Sequence, residues 1–143
     1  MSAPRPLTDA ERESLIAVAD ALCAGGGLLA PSAIADYAAW LDRALAARAE
    51  AFEGVVAAAV ALDGLSLEGR REALRRMSLA EAQRFHALSS VTAGAWLLTP
   101  EIAAALGYPG QVASPAAFDE AAEQLETGIL DPVLERGPIY REV

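Results

Sequence analysis

His86 is the only histidine among the 143 residues, and with Ser89 and Ser90 it forms the one pairing that suggests nucleophilic catalysis. A histidine one helical turn from a serine can act as a general base if a carboxylate orients its ring. Neither serine lies in a G-x-S-x-G turn, so a packed or hydrogen-bonded histidine is favoured over a small hydrolase. A di-iron bundle needs Glu-x-x-His, and position 83 is Gln. We therefore predict no catalytic residues.

Carboxylates recur in the C-terminal third of the chain, at Asp119, Glu120, Glu123 and Glu126. Sites for hard cations draw on converging ligands and loop carbonyls, whereas this spacing is typical of the solvated face of a helix. Gly25-Gly26-Gly27 lacks the GxGxxG spacing and follows a helical pattern instead of a strand. We predict neither a metal site nor a cofactor site in this chain.

Composition excludes several other classes of protein. The net charge of −9 disfavours nucleic-acid binding, which needs an excess of basic side chains. All 11 basic residues are arginines, and the absence of lysine excludes a P-loop, a Schiff base and a pyridoxal-phosphate site. Cys23 is the only cysteine, so an internal disulfide and a CxxC zinc site are impossible.

Arginines cluster in the middle of this acidic chain. Glutamates at helical spacing, Glu68, Glu72 and Glu81, predict pairing on the surface, and docking to an acidic partner is the alternative. The cluster consists of Arg70, Arg71, Arg75, Arg76 and Arg84.

The elements that must position these residues are predicted to be helices throughout. Alanine-rich segments alternate with Gly and Pro, and little β-branched sequence is left for strands. We predict an all-α, irregular bundle of about six to seven helices in one domain spanning 1–143, with a flexible N-terminus over 1–6 and an extended tail over 128–143. The N-terminus has no apolar run typical of a secretory signal, and no transmembrane helix is expected.

Capping signals set the predicted helix starts. Thr8 with Glu11 predicts a capping box for the first helix, and Ser66 predicts the N-cap of a helix that continues to Arg76. Ser78 with Glu81 predicts a second capping box, which opens the longest helix, about Leu79 to Leu98. Between Ala87 and Leu98 this helix has no charged residue on any face, so we expect it to be central in the bundle or covered by a partner.

The end of that helix is the predicted interaction surface. Thr99 and Pro100 have the pattern of a helix restart, and Tyr108-Pro109-Gly110 that of a rigid aromatic turn. Aromatic side chains at interface centres contribute a large share of the binding energy, although core packing is the alternative for Trp96, Tyr108 and Pro109. The predicted partner-binding residues are Trp96, Leu97, Leu98, Thr99, Pro100, Tyr108, Pro109, Gly110 and Tyr140.

Several short motifs resemble the gluconate 2-dehydrogenase subunit 3 family over roughly residues 7 to 111. They are Leu7-Thr8-Asp9-Ala10-Glu11 with Leu15, Ala19 and Leu22, then Gly94-Ala95-Trp96, Thr99-Pro100 and Leu106-Gly107-Tyr108-Pro109-Gly110. The resemblance implies a cofactor-free helical small subunit, whose large subunit, of the glucose-methanol-choline oxidoreductase type, binds FAD and oxidises an alcohol or sugar. The twin-arginine export signal of better-known members is missing.

The resemblance thus implies a non-catalytic accessory subunit in a hetero-oligomer with an FAD-dependent partner. Because an export signal is missing and only one cysteine is present, we expect a cytoplasmic complex. The alternative is a self-sufficient helical module that binds a small apolar ligand or forms a homodimer through the Ala87 to Leu98 helix.

Overall fold

The computed structural model describes residues 5–23, 25–113, 115 and 117–137, and within these residues the fold is all-α, with no strand. Two short 3-10 turns, Pro31–Ala33 and Ala49–Ala51, precede the second and third helices. The described helices are α1 (Asp9–Cys23), α2 (Tyr37–Ala47), α3 (Phe52–Val60), α4 (Leu67–Ala80), α5 (Ala82–Leu97), α6 (Pro100–Ala105), α7 (Glu120–Glu126) and α8 (Asp131–Arg136).

Two of the three predicted N-terminal caps are confirmed. The Glu11 carboxylate accepts the Thr8 backbone N–H at 2.8 Å, and the Thr8 hydroxyl accepts the Glu11 N–H at 3.2 Å, which makes a complete capping box for α1. Ser66 accepts the backbone N–H of Gly69 at 3.1 Å and caps α4. Both starts depend on bonds within four residues, which is why the sequence alone predicts them.

The predicted capping box at Ser78 is wrong. Helix α4 continues through Ser78 to Ala80, and the Ser78 hydroxyl donates to the Arg75 carbonyl inside that helix. The chain leaves helical geometry at Glu81 instead, where φ is −132° and ψ is 53°, and α5 begins at Ala82. The predicted long helix is therefore divided between the end of α4 and α5, at a bend that carries no Gly or Pro signal.

Helix α5 is the centre of the bundle, which is one of the two positions that its uncharged residues 87–97 predict. It contacts α1, α2, α3, α4 and α6, and its inward face consists of Leu88, Val91, Thr92, Ala95 and Trp96. Large core side chains contributed by the other helices include Leu15, Tyr37, Leu41, Leu45, Phe52, Leu74, Met77 and Ile102.

Tyr37 ties α2 to this central helix. Its side chain is buried, and its hydroxyl donates to the Thr92 carbonyl at 2.9 Å, so the phenol is satisfied inside the core. Burial raises the pKa of Tyr37 far above its ordinary value, and the negative charge near it at Asp20 contributes in the same direction. The raised pKa favours the neutral phenol, which is the form that donates this hydrogen bond.

Arg5 joins the start of α1 to α3 at the surface. Its guanidinium bonds to Glu11 and Glu53 and lies 5.1 Å from the centre of the Phe52 ring. The hydrogen bond from Arg5, followed by the one from the Thr8 backbone, lowers the pKa of Glu11 to about 2. The sequence did not indicate this connection, because it joins residues 48 positions apart.

Contacts within the chain group it into two units, Met1–Gly110 and Gln111–Val143, and the prediction of one domain spanning 1–143 stays a prediction. In the second unit, α7 places Glu120, Glu123 and Glu126 on a helix, as their spacing predicts. Asp131–Arg136, inside the predicted extended tail of residues 128–143, form α8 instead. Pro132 occupies the first turn of α8, where its missing N–H costs nothing.

Candidate partner-docking surface

Trp96 and Thr99, two members of the predicted docking set, lie in the core. Trp96 is 8% exposed, and its indole N–H donates to the Leu29 carbonyl at 2.9 Å. Thr99 is fully buried, and its hydroxyl donates to the Trp96 carbonyl at 2.7 Å. Both side chains are satisfied by bonds inside the chain, which leaves them little surface to offer to a partner.

Helical periodicity explains this placement. Leu88, Thr92 and Trp96 follow one another at four-residue intervals, and Thr99 comes three residues later, so all four lie on one face of α5 and its end. That face points into the bundle. The four-residue spacing therefore already indicated a core position for Trp96. The prediction of an interface instead relied on the frequency of aromatic residues at interface centres.

The two residues that follow Trp96 are exposed to solvent instead of buried in the core. Leu97 and Leu98 are about half or more exposed, Leu98 at 60%, at the point where α5 ends. As predicted, Thr99 occupies the N-cap position of α6 with extended geometry, and Pro100 lies in the first turn of that helix. The Thr99 side chain, however, makes no capping hydrogen bond. Two adjacent leucines are therefore presented to solvent on a corner that is held from inside by Thr99 and Ile102.

The turn after α6 is well defined. Gly107 has φ of +68°, its N–H bonds to the Ala104 carbonyl at 3.0 Å, and the Tyr108 N–H bonds to the Ala103 carbonyl at 2.8 Å. These two bonds form a Schellman motif, which only a residue tolerant of left-handed geometry completes without strain. The motif fixes the direction of the backbone at Tyr108, whose side chain is 57% exposed.

We define the α5–α6 surface as Leu29, Leu97, Leu98, Leu106 and Tyr108, all large apolar side chains that are half or more exposed. Helix α6 has six residues and spans only about 9 Å, so the two ends of this surface are close together. The hydrogen bond from Trp96 to Leu29 brings the loop after the glycines to the same end of α5. Contiguous exposed apolar side chains of this kind mark interaction sites.

The sequence prediction and this surface overlap without coinciding. Leu97, Leu98, Pro100, Tyr108, Pro109 and Gly110 are exposed as docking requires, and Tyr140 lies outside the described residues. Leu29 and Leu106 were missed. For Leu29 the available signal was a pair of leucines in a loop directly after three glycines, where an apolar side chain has no helical face to pack against.

The Ser–His pairing, the disfavoured alternative for His86, is not formed among the described residues. His86 is exposed, and Ser89 donates its hydroxyl to the His86 backbone carbonyl, not to the imidazole. Over the described ranges, no group of His, Cys, Asp or Glu has the geometry to hold a metal ion. Burial raises the pKa of Cys23 to about 11, with the charge of Asp20 adding to the effect, so this thiol is a poor nucleophile at neutral pH.

Four of the five arginines of the cluster form the predicted ion pairs on the surface. Arg71 bonds to Glu68, Arg75 and Arg76 to Glu72, and Arg84 to Glu81, all at helical spacing. These pairs are exposed on at least one side, and exposed ion pairs contribute little to stability. The cluster is therefore available for other electrostatic contacts.

Within the part of the chain that the structure describes, no helix is long and apolar enough to cross a membrane.

Comparison of the chain with models of protein families, with curated proteins and with solved structures finds no match.

Proposed function

We propose that this chain is a non-catalytic helical subunit that docks onto the FAD-containing large subunit of an alcohol- or sugar-oxidising dehydrogenase. The observation that carries the proposal is the α5–α6 surface, an apolar corner that includes Leu106 and Tyr108 of the motifs that resemble the gluconate 2-dehydrogenase subunit 3 family. In this proposal the large subunit, of the glucose-methanol-choline type, supplies the FAD and the redox chemistry. This chain supplies binding and stabilisation.

The rigidity of the α5–α6 surface supports a docking role. Trp96 and Thr99 hold the end of α5 from inside, and the Schellman motif at Gly107 holds the end of α6. A side chain on a fixed backbone loses less conformational entropy when it is buried at an interface, so more of its contact energy remains as affinity. Tyr108, with two side-chain torsions beside Pro109, has the properties of an anchor residue.

The chemistry of the remaining side chains is compatible with an accessory role. His86 has no orienting carboxylate bonded to it among the described residues, and Cys23 has a raised pKa. The single cysteine also supports a complex that resides in the reducing cytoplasm. We expect the isolated chain to be colourless and inactive.

The decisive experiment is affinity purification of the tagged full-length chain from its native host, followed by a flavin absorbance spectrum of the eluate and an assay for alcohol or sugar oxidation. The proposal predicts a stoichiometric flavoprotein in the eluate. Recovery of the chain alone, or with partners that carry no flavin, contradicts it.

Tyr108→Ala tests whether the α5–α6 surface makes the contact. A hot-spot truncation costs about 2 kcal/mol, so we expect the affinity for the flavoprotein to fall roughly 30-fold while the melting temperature of the free chain is unchanged. Leu79→Ala is the matched control, because Leu79 is 84% exposed but lies on α4. Equal affinities for Tyr108→Ala and the parent chain would show that the partner binds elsewhere.

A second candidate, a module that binds a small apolar ligand, is favoured by one observation. A surface depression of about 410 Å³ lies between α3 and α5, with Ala51, Gly54, Ala57 and Ala87 on its walls. This volume is within the range of small-molecule sites. Native mass spectrometry of the chain purified from its host would show a bound compound if this candidate is correct, and the bare chain mass if it is not.

A further inference from the structure

The C-terminal arm, residues 117–137, is built as two short amphipathic helices without a core. The carboxylates of α7 lie on one side of that helix. Over the whole arm, the sequence has six carboxylates and only one arginine. No described side chain of the arm is buried, and Phe118 is completely exposed. The other large apolar side chains of the arm are at least 45% exposed, and they are Leu125, Ile129, Leu130, Val133 and Leu134.

Among the described residues of the arm itself, no core covers these apolar side chains. Exposed apolar area of this extent is rare on a monomer and marks a segment that becomes buried in a complex. Its charge restricts the surface that can receive it. An acidic, amphipathic segment requires an apolar groove with basic side chains along the rim.

The bundle of this chain contains a groove of that kind, between α1, α4 and α5. The groove encloses about 250 Å³, its floor is formed by Leu22, Leu74 and Phe85, and Arg71 and Arg75 stand at its edge. Helix α4 carries four arginines against two glutamates, which gives this side a positive charge on a strongly acidic protein. We call this depression the arginine-flanked groove.

The arginines at the rim are free to change partners. Arg75 has a 67% exposed side chain, and its present partner, Glu72, lies on the same helix one turn away. An exposed pair at this spacing is stabilised by only about 0.3 to 0.5 kcal/mol. A carboxylate from another molecule can therefore replace or join Glu72 at little cost.

We propose that the C-terminal arm of one copy of this chain docks in the arginine-flanked groove of a second copy. Phe118 or Leu125 would fill the apolar floor, while the carboxylates of α7 would face Arg71 and Arg75. Both complementary surfaces occur in one chain, so a two-fold dimer makes the contact twice. Two arm contacts are a reasonable way to reach the roughly 1,200 to 2,000 Å² that stable interfaces bury.

This inference is independent of the proposed function. Phe85 and Leu97 are 12 residues apart on α5, which corresponds to about 18 Å, so the groove and the α5–α6 surface occupy opposite ends of that helix. A dimer formed through the arms leaves the α5–α6 surface of each copy available.

Sedimentation of the full-length chain over a range of concentrations tests the dimer. We expect a monomer–dimer equilibrium whose dissociation constant rises at least tenfold in Arg71→Glu/Arg75→Glu and in Phe118→Ala, and also rises with salt. Arg48→Glu, the same change of charge at an exposed position after α2, is the matched control and should dimerise normally. A parent chain that stays monomeric at all concentrations overturns the proposal.

Exchange of charges between two copies identifies the contact. Glu123→Arg/Glu126→Arg should be monomeric by itself, as should Arg71→Glu/Arg75→Glu, but a mixture of the two should form a heterodimer. Circular dichroism confirms that each variant is folded before mixing. If the mixture contains only monomers although the parent chain dimerises, the arm and the groove are not the contacting surfaces.

Discussion

At the scale of single residues, the structure separates two roles that the sequence had joined. Trp96 and Tyr108 are both aromatic, both near a turn and both part of the same family-like motifs. Trp96 is hydrogen-bonded inside the bundle, whereas Tyr108 is displayed on a Schellman turn. The difference arises from position on the helix face, and it divides the expected effects of mutation into stability for Trp96 and association for Tyr108.

Replacement of Trp96 should therefore lower the stability of the free chain. Trp96→Ala removes a large buried side chain and should cost about 3 kcal/mol or more in the free energy of unfolding. Trp96→Phe keeps most of the volume but loses the bond to the Leu29 carbonyl, and should cost about 1 kcal/mol. Urea unfolding measures both values.

Trp40→Phe is the control for these variants. Trp40 is only half-buried and stacks on Arg43 with 4.7 Å between the guanidinium carbon and the ring centre. It makes no indole hydrogen bond among the described residues, so its replacement should have a smaller effect than that of Trp96. If Trp96→Ala leaves the unfolding midpoint unchanged, the core position of Trp96 is incorrect.

At the scale of elements, local hydrogen bonds decide where helices begin, but competition between neighbouring elements decides where they end. Ser66 and Ser78 both precede a helix-forming segment and both resemble N-caps in the sequence. Only Ser66 has extended geometry and a bonded N–H, because α4 continues through Ser78. Packing of Leu74 and Met77 into the core keeps α4 helical to Ala80, and the bend falls at Glu81.

This difference between the two serines is measurable. Ser66→Ala should destabilise the chain by about 1 kcal/mol, because the Gly69 N–H loses its acceptor. Ser78→Ala, the same chemical change one helix length later, removes only a bond to the Arg75 carbonyl and should stay within about 0.5 kcal/mol of the parent chain. Thermal unfolding of the two variants side by side checks the order, and a larger effect at Ser78 would favour the capping box that the sequence suggested.

At the scale of the whole molecule, stability is distributed unequally. Helix α5 lies under five neighbouring helices and carries five buried residues. The arm over residues 117–137 contains no buried described side chain, so its two helices have no core of their own. Short helices without tertiary packing are marginal in water.

Hydrogen exchange should reveal this inequality. In dilute solution the amides of α5 should exchange most slowly and those of α7 and α8 within the fastest group, since local opening of the arm breaks no core contact. Mass spectrometry of peptides that cover 82–97 and 117–137 makes the comparison. Protection of the arm should increase with protein concentration, and strong protection that is independent of concentration would contradict both this expectation and the arm-exchanged dimer.

The sequence by itself determined the features that depend on neighbours along the chain. These are the all-α class, the caps at Thr8 and Ser66, the central position of the helix that contains the uncharged residues 87–97, and the ion pairs of the arginine cluster. Each follows from hydrogen bonds, charge spacing or periodicity within a few residues, which pattern reading captures directly.

Only the tertiary structure decided the features that join distant positions. The bond from Trp96 to Leu29 spans 67 residues, and the one from Tyr37 to Thr92 spans 55. The bond from Trp96 fixes this side chain in the core and places Leu29 at the α5–α6 surface, and packing of α1, α4 and α5 against one another forms the arginine-flanked groove. Exposure of a side chain depends on the packing of the whole bundle, and residue type and local spacing do not contain that information.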